Sequence, residues 1–508
     1  MKKFAGLVLV GYVLFNSFTA EAQSYAESAL IFSRINPGGS ARIQALGGAQ
    51  VSLGGDYSSA FSNPAGLGMY NRSEVTLTPA YNTAQTSSDY LGNSMSSSQS
   101  KFIIPGISLV FHSDKGKGAL LSGTFGITYN RTNNFNRTFE YSGQNNTSSI
   151  IDYFIADATG YDAHQFDSPG PNDNPPAGDR YYHPTGVAYY NYLINPDPND
   201  PTKYYSDIQV TKITQTEKVQ TKGNQNQVTF AYGINLSDHV FLGGGIGIAS
   251  INYSSKKTYS EISPQDTLLS SLTLVENLTT SGTGLNARIG AIFKPMDIFQ
   301  LGISVASPTG YFSLTDNYST SMSTSWISFP YGAANLPVGP VLHAAPANSY
   351  QFTTPWRLST GATFFIQKHG FISADVEYVN YGGSKYSPAQ NYGSTTPSGF
   401  FDPDNAEIKS TYSPVFNFRL GGEYRLNAFR LRAGYSYMPD PYKSVQNNVS
   451  NDLQSFSAGV GYRASKFFVD LTGVFTQGTT TYQPYTDSPV VTNQNQNTMI
   501  MATIGHPF

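Results

Sequence analysis

The nine residues FRLRAGYSY, Phe429 to Tyr437, decide the fold. Phe429, Leu431, Ala433, Tyr435 and Tyr437 alternate with Arg430, Arg432, Gly434 and Ser436. A period of two places every apolar side chain on one face of an extended strand and both arginines on the other. The pattern recurs on either side. Leu285, Ala287, Ile289, Ala291 and Phe293 oppose Asn286, Arg288 and Gly290. Phe416, Phe418, Leu420 and Tyr424 oppose Asn417, Arg419, Glu423 and Arg425. A strand in lipid shows its apolar face outward and turns its polar face to a lumen. A closed barrel is the sheet that satisfies its own backbone there.

The connections fix the number of strands. Six short ones lie near Asp114–Gly118, Leu236–His239, Pro295–Asp297, Gln367–Gly370, Leu426–Ala428 and Ala464–Lys466. Seven long ones lie near residues 84–99, 133–222, 259–280, 316–348, 383–411, 442–450 and 483–495. Strict alternation requires about fourteen antiparallel strands, with both chain ends on the short-turn side. The last strand, Thr498 to Phe508, carries Ile500, Ala502, Ile504, His506 and Phe508 on one face. A terminal Phe on such a strand resembles the signal read by the barrel assembly machinery.

Composition agrees with a barrel in outer-membrane lipid. Of 508 residues only 12% are charged and 14% are aromatic, with 36 Tyr and no Cys. Soluble domains average about 25% charged residues. A net charge of -3 offers nothing to nucleic acid. Lys2 and Lys3, the apolar run Phe4 to Phe18 and Ala20-Glu21-Ala22 read as a secretory signal peptide over 1–22. The expected location is the outer membrane of a Gram-negative bacterium.

Residues 41–70, ARIQALGGAQVSLGGDYSSAFSNPAGLGMY, carry Gly47-Gly48, Asp56 and Asn63-Pro64-Ala65-Gly66. This segment resembles the N-terminal hatch of FadL/TodX-type outer-membrane hydrophobic-compound transporters, and the chain is most similar to Bacteroidetes-like members. SGTGLNARIGAIFKP, LGISVASPTGYFSLTD and TPWRLSTGATF carry the resemblance further. It implies an all-β fold: a fourteen-stranded transmembrane barrel over 71–508, with a hatch over 23–70 plugging the lumen. The long loops at 133–222, 259–280, 316–348 and 383–411 would be extracellular. It also implies passive uptake of long-chain fatty acids or aromatic hydrocarbons, captured outside and released sideways through the wall.

Several residues are candidates for that task. Leu268, Leu269, Leu272, Val275 and Leu278 fall near helical spacing, and Trp326, Ile327, Phe329 and Tyr331 enrich the next loop. Together they are an outer capture groove, because exposed apolar patches mark ligand or protein interfaces. Gly123 and Gly126 are lateral-exit candidates, since strand glycines often mark bulges. Arg288, Arg357, Asp375, Arg419, Arg430 and Arg432 are lumen polar residues. They either neutralise one another and the hatch or, for a minority, bind a substrate carboxylate through the guanidinium fork.

Catalysis finds no support. The seven His are dispersed without zinc spacing, no GxSxG elbow occurs, and Gly243 to Gly247 lie within a strand pattern. No cofactor or metal is expected. A second expectation is a structural or carrier subunit of an outer-membrane complex, in type IX secretion or barrel assembly, docking a protein partner through the Tyr-rich loop 133–222.

Overall fold

The computed structural model describes residues 24–36, 38–115, 118–168, 179–208, 212–389 and 399–508. The signal peptide and parts of loops 133–222 and 383–411 lie outside them. Fourteen strands run antiparallel in sequence order: β1 (Glu74–Tyr90), β2 (Asn93–Asp114), β3 (Leu120–Asn134), β4 (Ile213–Leu236), β5 (Val240–Ile262), β6 (Leu269–Met296), β7 (Phe299–Ala306 continued by Gly310–Trp326), β8 (Asn348–Thr353 continued by Arg357–Ile366), β9 (Gly370–Asn380 continued by Lys385–Pro388), β10 (Pro414–Leu426), β11 (Phe429–Met438), β12 (Leu453–Arg463), β13 (Phe468–Tyr482) and β14 (Val491–Pro507). β14 returns to β1, with Tyr81 opposite Ile500 and His506 opposite Val75, and the sheet closes. No described helix is long and apolar enough to cross a membrane.

The faces follow the alternation. Leu431, Ile289 and Phe418 are 48%, 65% and 48% exposed, whereas Arg432 is 4% exposed. The large exposed side chains therefore form the outer band that lipid covers.

The expected long loops are corrected in four places. Residues 84–99 are not a loop: β1 and β2 run through them to a tight turn at Leu91-Gly92. Residues 259–280 hold no helix, because β5 continues to Ile262 and β6 starts at Leu269. β7 runs on to Trp326, and β14 starts at Val491. A barrel strand needs about 9–11 residues to cross lipid, yet β6 has 28. Beyond the bilayer both faces of the wall meet water or packed loop, so the ladder persists while the apolar alternation fades.

A cap covers this raised rim. It contains α4 (Ile150–Ala158), α5 (Pro184–Tyr190) and the hairpin Asn195–Asp197/Asp200–Tyr205. Phe154, Phe166, Val187 and Leu193 form its core, packed on Leu272, Met322 and Tyr259 of the rim. Ser149 and Asp152 close a capping box on α4. Glu261 of β5 then accepts the Ile150 N–H at 2.8 Å, the Gln215 amide at 2.9 Å and the Tyr259 hydroxyl at 2.7 Å. One wall carboxylate thus fixes the N-terminus of the cap's first helix, where negative charge is favoured.

Candidate functional site

The N-terminal segment lies within the strand ring and bonds to it around its circumference. It comprises α1 (Tyr25–Ser33), α2 (Ala41–Gln44), α3 (Ser59–Ser62) and a 3-10 turn at Pro64–Met69. The Ala41 N–H donates to Thr503 at 2.7 Å, and the Thr472 hydroxyl donates to the Ala41 carbonyl at 2.6 Å. Asp375 accepts the N–H groups of Gln50 and Val51 at 2.6 and 2.9 Å. Tyr57 meets Thr78 at 3.0 Å.

Six residues of the Gly47-Gly48, Asp56 and Asn63-Pro64-Ala65-Gly66 motif have contacts that account for them. Gly47 has φ +65, and a Cβ there would come within 2.6 Å of the Tyr435 carbonyl oxygen, so only glycine fits against β11. Asp56 ties two stretches together, accepting the Ser40 hydroxyl at 2.7 Å and both the N–H and hydroxyl of Ser58. Asn63 accepts the Ala65 N–H at 3.2 Å and donates to the carbonyls of Val51 and Ala291. Pro64 opens the 3-10 turn. Ala65 is buried against Phe241 and Ile292, and a Cβ on Gly66 would meet the Gly54 backbone at 2.8 Å.

Lumen charge is concentrated between β6 and β13. Glu377 accepts from Arg357 and Arg419, each at 3.1 Å, and from Asn417 at 3.0 Å. Arg432 bridges Glu423 at 2.8 Å and Asp470 at 2.6 Å. Arg463 reaches Asp470 and Arg425 reaches Glu423. Several of these groups also hold the hatch: Arg357 donates to the Ser33 carbonyl, and Arg288 to the Ser62 carbonyl at 2.8 Å. Burial disfavours the charge of Arg42 in α2, but Glu423 and Asp56 beside it raise its pKa, so it stays a cation. Arg430 is the exception. Its guanidinium turns back to the carbonyls of Asn427 and Phe429 at the short turn.

The opposite wall is built differently. β2 and β3 are laddered from Asp114–Ser122 up to Gly106–Asn130, and no pairing between them continues above that point among the described residues. Pro105 has no N–H to offer there. The hatch takes the next acceptor on β3 instead, with Asn36 N–H donating to the Thr132 carbonyl at 3.0 Å. The chain then turns inward at Phe135, whose ring meets Phe32 and Tyr253. The following strand, Arg137–Asn145, pairs with β4 and not with β2. Side chains bridge the resulting seam: Lys101 to Asn136 at 3.3 Å, Thr138 to Gln99 at 3.1 Å and Asn93 to the Ser142 carbonyl at 3.3 Å. Behind it lies a cavity of about 190 Å³ that touches Ile103 and Pro105 of β2, Arg131 of β3 and Gly38 of the hatch.

Neither Gly123 nor Gly126 interrupts the wall. Gly123 pairs with Ser113 and Ile234, and Gly126 with Val110 and Ala231. The space beside them is taken by Tyr232 and Leu67. The ladder ends higher up, above the Gly106–Asn130 pair, beside Pro105 of the neighbouring β2. The capture-groove residues also separate. Leu269 and Leu272 are buried beneath the cap, while Trp326 is partly buried against the same cluster. Trp326, Phe329 and Tyr331 meet edge to face in sequence, and Tyr192 of the cap stacks on Tyr331. Leu268 and Val275 are half-buried, Ile327 is exposed, and Leu278 packs lower against the α1 cluster. Cap residues thus fill the space where an open groove was expected.

The family model described as outer membrane protein transport protein (OMPP1/FadL/TodX) matches residues 200–496. A FadL homologue from Pseudomonas aeruginosa superposes with a TM-score of 0.55 at 14% identity, covering 93% of this chain and 99% of that one. The P. putida toluene transporter TodX gives 0.52 at 12% identity, with the same shares covered. At these identities the likeness is one of fold. No curated protein sequence matches the chain.

Proposed function

The chain belongs to the OMPP1/FadL/TodX family of outer-membrane barrels, which are transport channels and not enzymes, and from that premise we propose that it takes up hydrophobic small molecules, fatty acids or aromatic hydrocarbons, and passes them sideways through the seam between β2 and Arg137–Asn145. The single observation that carries this reading is the cavity that touches both the hatch and the unladdered stretch of wall. A straight axial path is occupied by the N-terminal segment, which supports its role as a plug. Sideways passage needs no hatch displacement, only the parting of side-chain contacts that are individually weak. At the rim, the Trp326–Phe329–Tyr331–Tyr192 cluster is the proposed capture surface. Phe508 and the last strand serve assembly in the membrane.

The absence of native cysteine makes a direct test clean. Thr138→Cys and Gln99→Cys, bridged by a short bis-methanethiosulfonate reagent that loses methanesulfinate at each thiol, would staple the seam. Uptake of a labelled fatty acid or of toluene should fall to the level of cells lacking the chain, while each single variant treated alike stays normal. Undiminished uptake by the stapled protein would remove the lateral route.

A further inference from the structure

On five neighbouring strands the outward face changes its chemistry where the lipid-covered band ends. Phe456, Phe475, Ile500, Tyr81 and Phe102 are the uppermost apolar side chains of that face on β12, β13, β14, β1 and β2. Above them Gln454, Gln477, Gln496, Gln85 and Ser98 stand opposite one another in a row across the same strands. The next row is Thr479, Gln494, Ser87 and Ser96. Neighbouring strands lie about 4.8 Å apart, so the first row is a regular comb of amides. Neither row carries a charge. Above the band on β4 and β5, by contrast, Lys222 and Lys256 are exposed.

The two faces of this sheet also differ in their bonding. Inward, Asn82 donates to Asn497 at 2.9 Å, Thr86 to Asn495 at 3.0 Å and Ser88 to Asn493 at 2.7 Å. Outward, the amides of Gln85, Gln477, Gln494 and Gln496 make no side-chain hydrogen bond among the described residues. Each amide keeps two donors and an acceptor for what lies outside the wall. A depression of about 260 Å³ opens there, touching Asp452, Gln454, Gln477, Thr479, Gln494 and Gln496.

The occupant must stand on the acyl layer, because the same face of the same strands continues down into the lipid-covered band. A protein partner matches poorly. Protein interfaces are built on aromatic anchors and are depleted in serine, and these two rows hold no aromatic side chain. A phosphate matches poorly too, since the rows offer no cation. Uncharged donors and acceptors in a regular array suit a cluster of hydroxyl groups. We propose that this face docks the saccharide head of the outer leaflet's glycolipid, with Gln477, Gln494 and Gln496 as its principal contacts. The site lies outside the barrel and is independent of the uptake reading.

Native mass spectrometry of the purified full chain in a sugar-free, non-ionic detergent tests this. The probes are a lipo-oligosaccharide and, as a sugar-free lipid, dioleoylphosphatidylglycerol. The triple variant Gln477→Ala/Gln494→Ala/Gln496→Ala should bind the lipo-oligosaccharide about tenfold more weakly, the worth of one or two neutral hydrogen bonds. Its binding of the phosphatidylglycerol should not change. Heat-modified electrophoretic migration confirms that the variant barrel is folded. Undiminished lipo-oligosaccharide binding by the variant overturns the proposal, as does an equal fall for both lipids. A dimer of the unaltered chain that the triple variant abolishes overturns it in favour of a second copy as the occupant.

Discussion

Between β8 and β13 the lumen wall carries Arg357, Arg419, Arg432 and Arg463, each within 3.1 Å of a carboxylate. Across the lumen, Arg131 and Arg137 have no carboxylate partner among the described residues, and the strand ladder beside them is open. The first wall is fully laddered and cross-linked by ion pairs, and it grips the hatch through Arg357 and Asp375. The second leaves backbone edge, cations and cavity together. Burying charge costs several kcal/mol per ion unless it is paired. Carboxylate-paired arginines therefore tie the first wall to itself, whereas Arg131 and Arg137 face the cavity.

The comparison breaks most readily at Glu377. Glu377→Gln leaves Arg357 and Arg419 facing one another without their shared carboxylate and should cost about 3–5 kcal/mol. Denaturant or heat-modification midpoints in detergent measure the loss, and protease should cut residues 24–70 sooner. Arg137→Gln on the opposite wall should leave the midpoint unchanged or raise it. If the two variants behave alike, the division between the walls is wrong. A smaller effect is expected at Glu261, which lies at the rim, away from both. Glu261→Gln turns one of the two acceptor oxygens that serve Ile150, Gln215, Tyr259 and Ser149 into a donor and should loosen the cap by about 2 kcal/mol. Limited proteolysis should then cut within 150–208 while the barrel remains intact. Asn63→Ala should be mildest, about 1 kcal/mol, seen as earlier cleavage of the hatch with uptake retained. Full loss of the folded barrel would assign Asn63 to the wall and not to the hatch.

Much of the wall was legible because its code is local. Phe429 to Tyr437 alternate with a period of two, and the structure turns Leu431 outward and Arg432 inward as that pattern requires. The six short turns fall where expected, since they sit at the membrane edge where composition changes abruptly. The raised rim was misread because β1 and β2 are rich in Ser, Thr and Gln there, on a surface that no longer faces lipid. Leu268, Leu269, Leu272, Val275 and Leu278 fall near helical spacing, yet from Leu269 onward neighbouring strands fix them as strand. The pairing that settles this, Leu272 with Thr324, spans residues far apart in the chain.

The sequence by itself determined the class, the strand number and the outward faces, because each depends on neighbours within about ten residues. It also marked the inward arginines as a group. Only the tertiary structure decided which of them are spent. Arg430 turns to its own hairpin, Arg288 holds the hatch carbonyl of Ser62, and Arg131 and Arg137, outside the expected set, line the open cavity. Partnership in a lumen is set by which strands face each other across the ring and by where the N-terminal segment comes to rest. No stretch of chain carries that information alone.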